Sequence, residues 1–330
     1  MAKIGIPHSL FYYYHYPLWK TFFEILGVTV ITSPPTNRLI INKGLNLAVD
    51  EACFPIKVYF GHVEELCKED IDYIFLPRMV SIEKKGYICP KFMGLPNMIK
   101  AALPNLPPVI DITIDLSKTD KKLKSDVIKI GQLFTDDNKL IKRALVAATN
   151  EFYLCRSLTK QGYSMSEAIK VWAGEEVNFS KANDLTICLL GHGYSLYDEA
   201  ISLNIINKLR NLGVRVVLPE YLERKKVEEY AATVPKRVFW TLGRKMVGSA
   251  LYSEKNPEID GIIYLACFGC GPDSLIGEII ERKVKEKPFM LLTIDEHTGE
   301  GGFMTRIEAF CDMLKRRREI IYEGNFSTYG

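Results

Sequence analysis

The run Gly261-Ile262-Ile263-Tyr264-Leu265-Ala266, followed by Cys267-Phe268-Gly269-Cys270-Gly271-Pro272-Asp273-Ser274, decides the fold. The first six residues carry no charge and include isoleucine and tyrosine. They read as a strand buried on both faces, the kind found in parallel sheets. Two glycines then break the strand, and a proline near the start of the next segment begins a helix over residues 272–286. A second apolar strand at 289–294 completes a β-α-β unit.

The same pattern occurs upstream. Residues 185–190 read as an apolar strand, Gly191-His192-Gly193-Tyr194-Ser195 as a turn, 197–212 as a helix and 215–218 as a strand. Near the N-terminus, strands are expected at 3–6, 28–32, 71–76 and 109–114. Helices are expected at 17–26, at 36–48 with Thr36 as its cap, and at 53–67. Residues 77–96, rich in proline, glycine and lysine, read as a loop with Cys89 near its middle. Helices at 123–134, 140–158 and 164–176 lie between the two units. The expected fold is α/β, with two Rossmann-like, doubly wound lobes of parallel sheet at 1–117 and 184–330, joined by a helical bridge at 118–183. Ligands of such sheets collect beyond the carboxyl ends of the strands. The loops carrying Cys89, His192, Cys270 and His297 should therefore face one interlobe cleft.

Composition narrows the class. At 330 residues, with 47% hydrophobic and 25% charged residues, the chain reads as a soluble globular protein. A net charge of +3 leaves no electrostatic footprint for nucleic acid. The basic run Lys315-Arg316-Arg317-Arg318 reads as a helix end with cations at its negative pole. The opening Met1-Ala2-Lys3-Ile4-Gly5-Ile6-Pro7 reads as a strand, not a secretory signal. No apolar run approaches the length of a membrane span. Eight cysteines in such a chain argue against a disulfide framework and for a reducing cytoplasm, where thiols are free to bind metal.

Cys53, Cys89 and Cys270 are each followed within two residues by proline, the residue that opens helices. A thiol at a helix N-terminus ionises more easily, and the thiolate is the metal-binding form. Soft thiolates suit iron–sulfur clusters. The competing reading is three small buried apolar residues. Cys267 and Cys270 form a C-x-x-C pair, fit for redox work or half a zinc site, but no second close pair completes a zinc ribbon. Cys67, Cys155, Cys188 and Cys311 lie in helical or strand patterns and read as packing.

Two further segments carry chemistry. The turn at 191–195 lacks the third glycine of a dinucleotide loop, since Leu196 stands there, and no P-loop occurs, so no nucleotide is expected on this chain. Asp295-Glu296-His297-Thr298-Gly299-Glu300 follows a strand and reads either as acid/base groups or as a solvated loop capping the next helix. The aromatic run Phe11-Tyr12-Tyr13-Tyr14-His15-Tyr16 reads as a buried or subunit-facing face.

On these residues the chain resembles the DUF2229 family, proteins related to the activases of 2-hydroxyacyl-CoA dehydratases. The likeness rests on Ile4-Gly5-Ile6-Pro7, Tyr13-Tyr14-His15-Tyr16-Pro17-Leu18-Trp19 and Asp50-Glu51-Ala52-Cys53. It continues through Tyr87-Ile88-Cys89-Pro90-Lys91, Phe268-Gly269-Cys270-Gly271 and Ile294-Asp295-Glu296-His297-Thr298-Gly299-Glu300, and covers nearly the whole chain. That family is similar in turn to 2-hydroxyacyl-CoA dehydratase subunits and double-cubane cluster proteins. The resemblance implies an iron–sulfur cluster, of 4Fe-4S or double-cubane type, held by Cys53, Cys89 and Cys270 between two Rossmann-like lobes.

It also implies low-potential electrons from a separate ATP-dependent activator with its own 4Fe-4S cluster, and a homologous second subunit or homodimer. The expected activity is reduction or dehydration of a small-molecule substrate at the cluster. His192, His297 and Glu300 are candidates for proton delivery or support of the cluster. A non-catalytic electron relay or scaffold, and a cofactor-free two-lobed small-molecule binder, are the alternatives.

Overall fold

A computed structural model describes residues 1–117, 120–178 and 185–326. The lobe limits expected at 117/118 and 183/184 fall on residues 118, 183 and 184, which lie outside the described residues. The first half runs β1 (Lys3–Ile6), α1 (Tyr12–Ile25), β2 (Thr29–Thr32), α2 (Arg38–Leu47), α3 (Phe54–Leu66), β3 (Tyr73–Phe75), β4 (Arg78–Ser81), α4 (Pro90–Ala102), β5 (Val109–Ile110) and β6 (Thr113–Asp115). Helices α5 (Lys121–Gly131), α6 (Asn138–Leu158) and α7 (Met165–Trp172) follow, with α6 and α7 packed on α1. The second half runs β7 (Leu185–Gly191), α8 (Gly193–Leu196), α9 (Ile205–Asn211), β8 (Val214–Val217), α10 (Arg224–Ala231), α11 (Thr241–Lys255), β9 (Gly261–Cys267), α12 (Gly271–Lys283), β10 (Phe289–Ile294) and α13 (Glu300–Phe326).

Two four-stranded sheets organise these elements, in the orders β2-β1-β3-β5 and β10-β9-β7-β8, with every pairing parallel. A short parallel ladder joins β4 to β6. This is the two-lobed, Rossmann-like α/β arrangement expected. In each sheet the chain moves outward from a central strand (β1 to β2, β7 to β8) and then returns to its other side (β3, β9). That reversal opens a crevice beyond the carboxyl ends of the two inner strands. All seven residues of β9 are buried, which explains its uncharged sequence. Each fully buried isoleucine there contributes about 2 kcal/mol of hydrophobic stabilisation.

Four expectations are corrected. Residues 77–96 are not a loop: they hold β4 and the start of α4. Gly94 and Pro96 disguise a helix whose buried side chains, Phe92, Leu95, Pro96 and Ile99, follow the spacing i, i+3, i+4, i+7. Tertiary packing outweighs the intrinsic cost of the two breakers. The cap of α2 is Asn37, whose side chain accepts the Ile40 N–H, and not Thr36. The helix expected from 197 begins only at Ile205. The Asp198 carboxylate accepts the N–H groups of Ala200 and Ile201, and Leu203 and Asn204 take left-handed φ of 51° and 53°. Finally, the basic run 315–318 lies inside α13, not at its end.

Helices α2 and α3 touch through backbone. A Cβ on Gly61 would lie 1.9 Å from the Ile40 carbonyl oxygen, and one on Gly44 would lie 2.0 Å from that of Lys57. Neither carbonyl can yield without moving its helix. Gly61→Ala gains roughly 1 kcal/mol of helix propensity but overpacks this contact. The expected net loss is about 2 kcal/mol, read as a lower urea midpoint at unchanged slope; an unchanged midpoint would refute the contact. Among the described residues no helix is long and apolar enough to cross a membrane.

Candidate metal centre

Cys53, Cys89 and Cys270 are the N-cap residues of α3, α4 and α12, and each of these helices has proline in its first two positions. The local chemistry is the same three times. A cap residue takes an extended backbone, proline fits the first helical turn, and its missing N–H is one the helix would have left unpaired. None of the three thiols makes a capping hydrogen bond. Each therefore stands at the positive end of a helix, where a first-turn backbone N–H (Ile56, Lys91 and Asp273 respectively) favours its thiolate form.

The fold pairs two of the three and sets the third near them. Cys53 and Cys270, from different lobes and both buried, lie close enough for one thiol to form a hydrogen bond to the other. That bond pulls Cys53 down to about 7, against the effect of burial and with help from the Ile56 N–H and the Lys91 ammonium. The same bond, together with burial and the Asp273 charge, pushes Cys270 up. The two sulfurs behave as one pair sharing a proton. Half-buried Cys89 is raised by burial and feels the Cys53 charge. It lines a small pocket with His192, Tyr194, Trp240 and Pro272, so the start of α4 faces the ends of β7 and β9.

Beneath the sulfurs lies a buried carboxylate that sequence reasoning left without a role. Asp273, 2% exposed, accepts the Tyr264 hydroxyl on Oδ1 at 2.7 Å and the Cys267 N–H on Oδ2 at 2.9 Å. His192 Nε2 lies 3.0 Å from Oδ1. Burial works to raise the Asp273 carboxyl, but His192 and these donors hold it below the usual carboxylate range. With Nε2–H turned to the carboxylate, His192 presents Nδ1, a buried atom with no hydrogen-bond partner among the described residues. A ring nitrogen of His192, the Cys270 sulfur and a carboxylate oxygen of Asp273 lie within 4.8 Å of one another, a buried group able to hold a metal ion. The readable signal was Cys270-Gly271-Pro272-Asp273, which puts an acid at the third helical position behind an N-cap.

The other candidates lie elsewhere. Cys267 ends β9, is buried, and has its sulfur 3.4 Å from the Ser195 hydroxyl; its thiol is pushed up by burial. Gly269, at φ +72°, makes the turn from Cys267 to Cys270. His297 is exposed, with its N–H bonded to Asp295, and exposed Glu300 pairs with Lys208. Their neighbour Glu296 reaches Lys57 in the first turn of α3. Cys155, Cys188 and Cys311 are buried, and burial raises all three. Of the aromatic run, Phe11 and Tyr13 are buried and the other four are partly exposed; Phe11 packs near Tyr194, and Tyr13 and Tyr14 near Tyr197.

No curated protein matches the chain. Residues 3–222 match the family model described as the CoA enzyme activase uncharacterised domain. The matched stretch includes Cys53, Cys89 and His192 and ends before Cys270. With two thirds of its length so matched, the chain belongs to the DUF2229 family.

Proposed function

We propose that this CoA enzyme activase-related protein holds an iron–sulfur cluster on Cys53, Cys89 and Cys270. The cluster would take low-potential electrons from a separate ATP-dependent activator, and a small substrate would be reduced or dehydrated beside it. The observation that carries this reading is the pairing of Cys53 with Cys270 from the two halves of the chain, with Cys89 near enough to feel the Cys53 charge and all three at helix N-termini. The donor set fits: three soft sulfurs for iron, and helix termini to offset thiolate charge. When bound, the cluster supplies single electrons at low potential.

The chain's own residues do the rest. The helix termini would offset thiolate charge once metal displaces the thiol protons, and Asp273 fixes the His192 ring through Nε2, as carboxylates orient metal-site histidines. His192 Nδ1 is then available to accept a proton or to ligate. In this reading the lobes are 1–117 and 184–330, bridged by 118–183, and the working protein is a cytoplasmic homodimer or a pair with a homologous subunit.

Anaerobic reconstitution with iron and sulfide tests the proposal. The wild type should bind about four iron atoms per chain. Cys89→Ala should lose most of the iron and its EPR signal, whereas Cys155→Ala should lose neither. Less than about one iron per reconstituted chain sinks the cluster. ATP-dependent turnover of hydroxyacyl-CoA with an activator separates a catalytic cluster from a relay.

A further inference from the structure

The N-terminal lobe has its own crevice, beyond the carboxyl ends of β1 and β3. A partly open pocket lies there, walled by Phe11, Trp19, Tyr59, Phe75, Phe92 and Leu95. Its space for ligand is about 40 Å³, where one water needs about 10–15 Å³. It therefore takes a few water-sized groups and no more.

Two polar atoms in this wall have no hydrogen-bond partner among the described residues, Ser9 Oγ and His15 Nδ1. Ser9 is 1% exposed, so water outside the protein does not serve its hydroxyl. The Phe11 carbonyl raises the basicity of the His15 ring without reaching hydrogen-bond geometry, and burial, the larger effect, lowers it to about 4. The imidazole is thus neutral at pH 7. Between these residues Leu10, 1% exposed, is held at φ +52°, a region that costs a leucine conformational energy. Uncommitted polar atoms, backbone strain and a concave apolar wall coincide at the crevice where such sheets take ligands.

We infer that this pocket binds an uncharged molecule of about three or four non-hydrogen atoms bearing one hydroxyl or carbonyl group, which Ser9 and His15 engage. No Asp, Glu, Lys or Arg lines it, so a charged ligand would enter unpaired. Phe92 also lines the pocket of Cys89, and its N–H bonds the Cys89 carbonyl, so one ring divides the occupant from the thiols. That the occupant is the molecule acted on at the thiols rests on the proposed function; binding itself does not.

The test uses the full chain labelled with 5-fluorotryptophan, both as purified and after chelation of metal, so that failure of the cluster leaves it intact. Trp19 lines the pocket, and Trp240, beside Cys89, is the control. Added 2-propanol should shift the Trp19 resonance to saturation, with half-saturation on the order of millimolar, while acetate should not. Ser9→Ala should raise the half-saturation about fivefold. Leu95→Phe, with folding confirmed by circular dichroism, should abolish the shift by filling the pocket. A shift that stays linear and equal for all tryptophans overturns the inference. So does equal binding of acetate, or a half-saturation unchanged in Ser9→Ala.

Discussion

Asp273→Ala should lower the stability of the metal-free protein by about 4 kcal/mol, measured as a urea midpoint with circular dichroism and tryptophan fluorescence in agreement. The carboxylate is 2% exposed and serves three groups, the Tyr264 hydroxyl, the Cys267 N–H and His192 Nε2. Alanine leaves all three buried and unpaired at once. Each neutral donor so stranded costs roughly 1–3 kcal/mol, and relaxation of the start of α12 recovers part of that. Asp273→Asn should lose about 2 kcal/mol, because its oxygen still accepts one donor while its amide N–H faces others. A loss below about 1 kcal/mol for Asp273→Ala would mean that these contacts do not form in solution. The same variant frees the His192 ring to change tautomer, so its iron loading should also fall. Asp273→Asn separates the two effects if iron falls further than stability does.

How much of this site could be read in advance depends on how local its causes are. The strand–Cys270–helix segment was legible because two signals agreed: an uncharged run for β9 and a proline in the first turn of α12. The meeting of Cys53 with Cys270 was implied by the family resemblance and not by the local pattern, since contact between lobes is set by packing that no short window contains. The helix behind Cys89 was hidden because Pro96 and Gly94 mask a stripe that exists only once its buried face has a partner. Asp273 stood in the quoted motif, but an acid in a first helical turn reads as a surface cap until β9 is placed above it. His62 gave no signal at all. It sits in the apolar run of α3, and its partners come from distant parts of the chain.

Those partners tie the lobes together. His62, fully buried, meets Ser33 Oγ through Nδ1 and Thr36 Oγ1 through Nε2, each at 2.8 Å. Thr36 donates onward to Asp198, 162 residues away in the second lobe, and Tyr13 adds its hydroxyl to the same carboxylate. With Thr36 donating to Asp198, its oxygen accepts Nε2–H from His62, and Ser33 donates to Nδ1. The ring is then satisfied only as a neutral imidazole. A second proton on it would face the Ser33 hydroxyl, which would have to turn.

Stability should therefore fall steeply as the pH drops from 6.5 towards 5. Burial lowers His62 to about 3, with the nearby His8 adding to the effect. Burial likewise lowers His8 and His15 to about 4 each, aided by Lys170 and Arg156 respectively. For all three the unfolded chain takes up a proton near pH 6.5 that the folded chain refuses until pH 3 to 4. Their contribution is thus present above the unfolded value and lost on acidification, by about 1.4 kcal/mol per proton per pH unit. Asp198 opposes them. Burial raises it to about 6, so the folded state gains a proton first and is favoured as the pH falls from there towards 3.8. Three losses against one gain leave a net cost of about 4 kcal/mol at pH 5, a large share of an ordinary domain's stability. Urea midpoints at half-unit steps from pH 7.5 to 5 measure the slope. It should approach the uptake of about two net protons on unfolding, and His62→Gln, which keeps hydrogen-bonding groups but cannot titrate, should remove about one of them. A slope below about one proton in the wild type would show that these rings titrate in the fold as freely as in water.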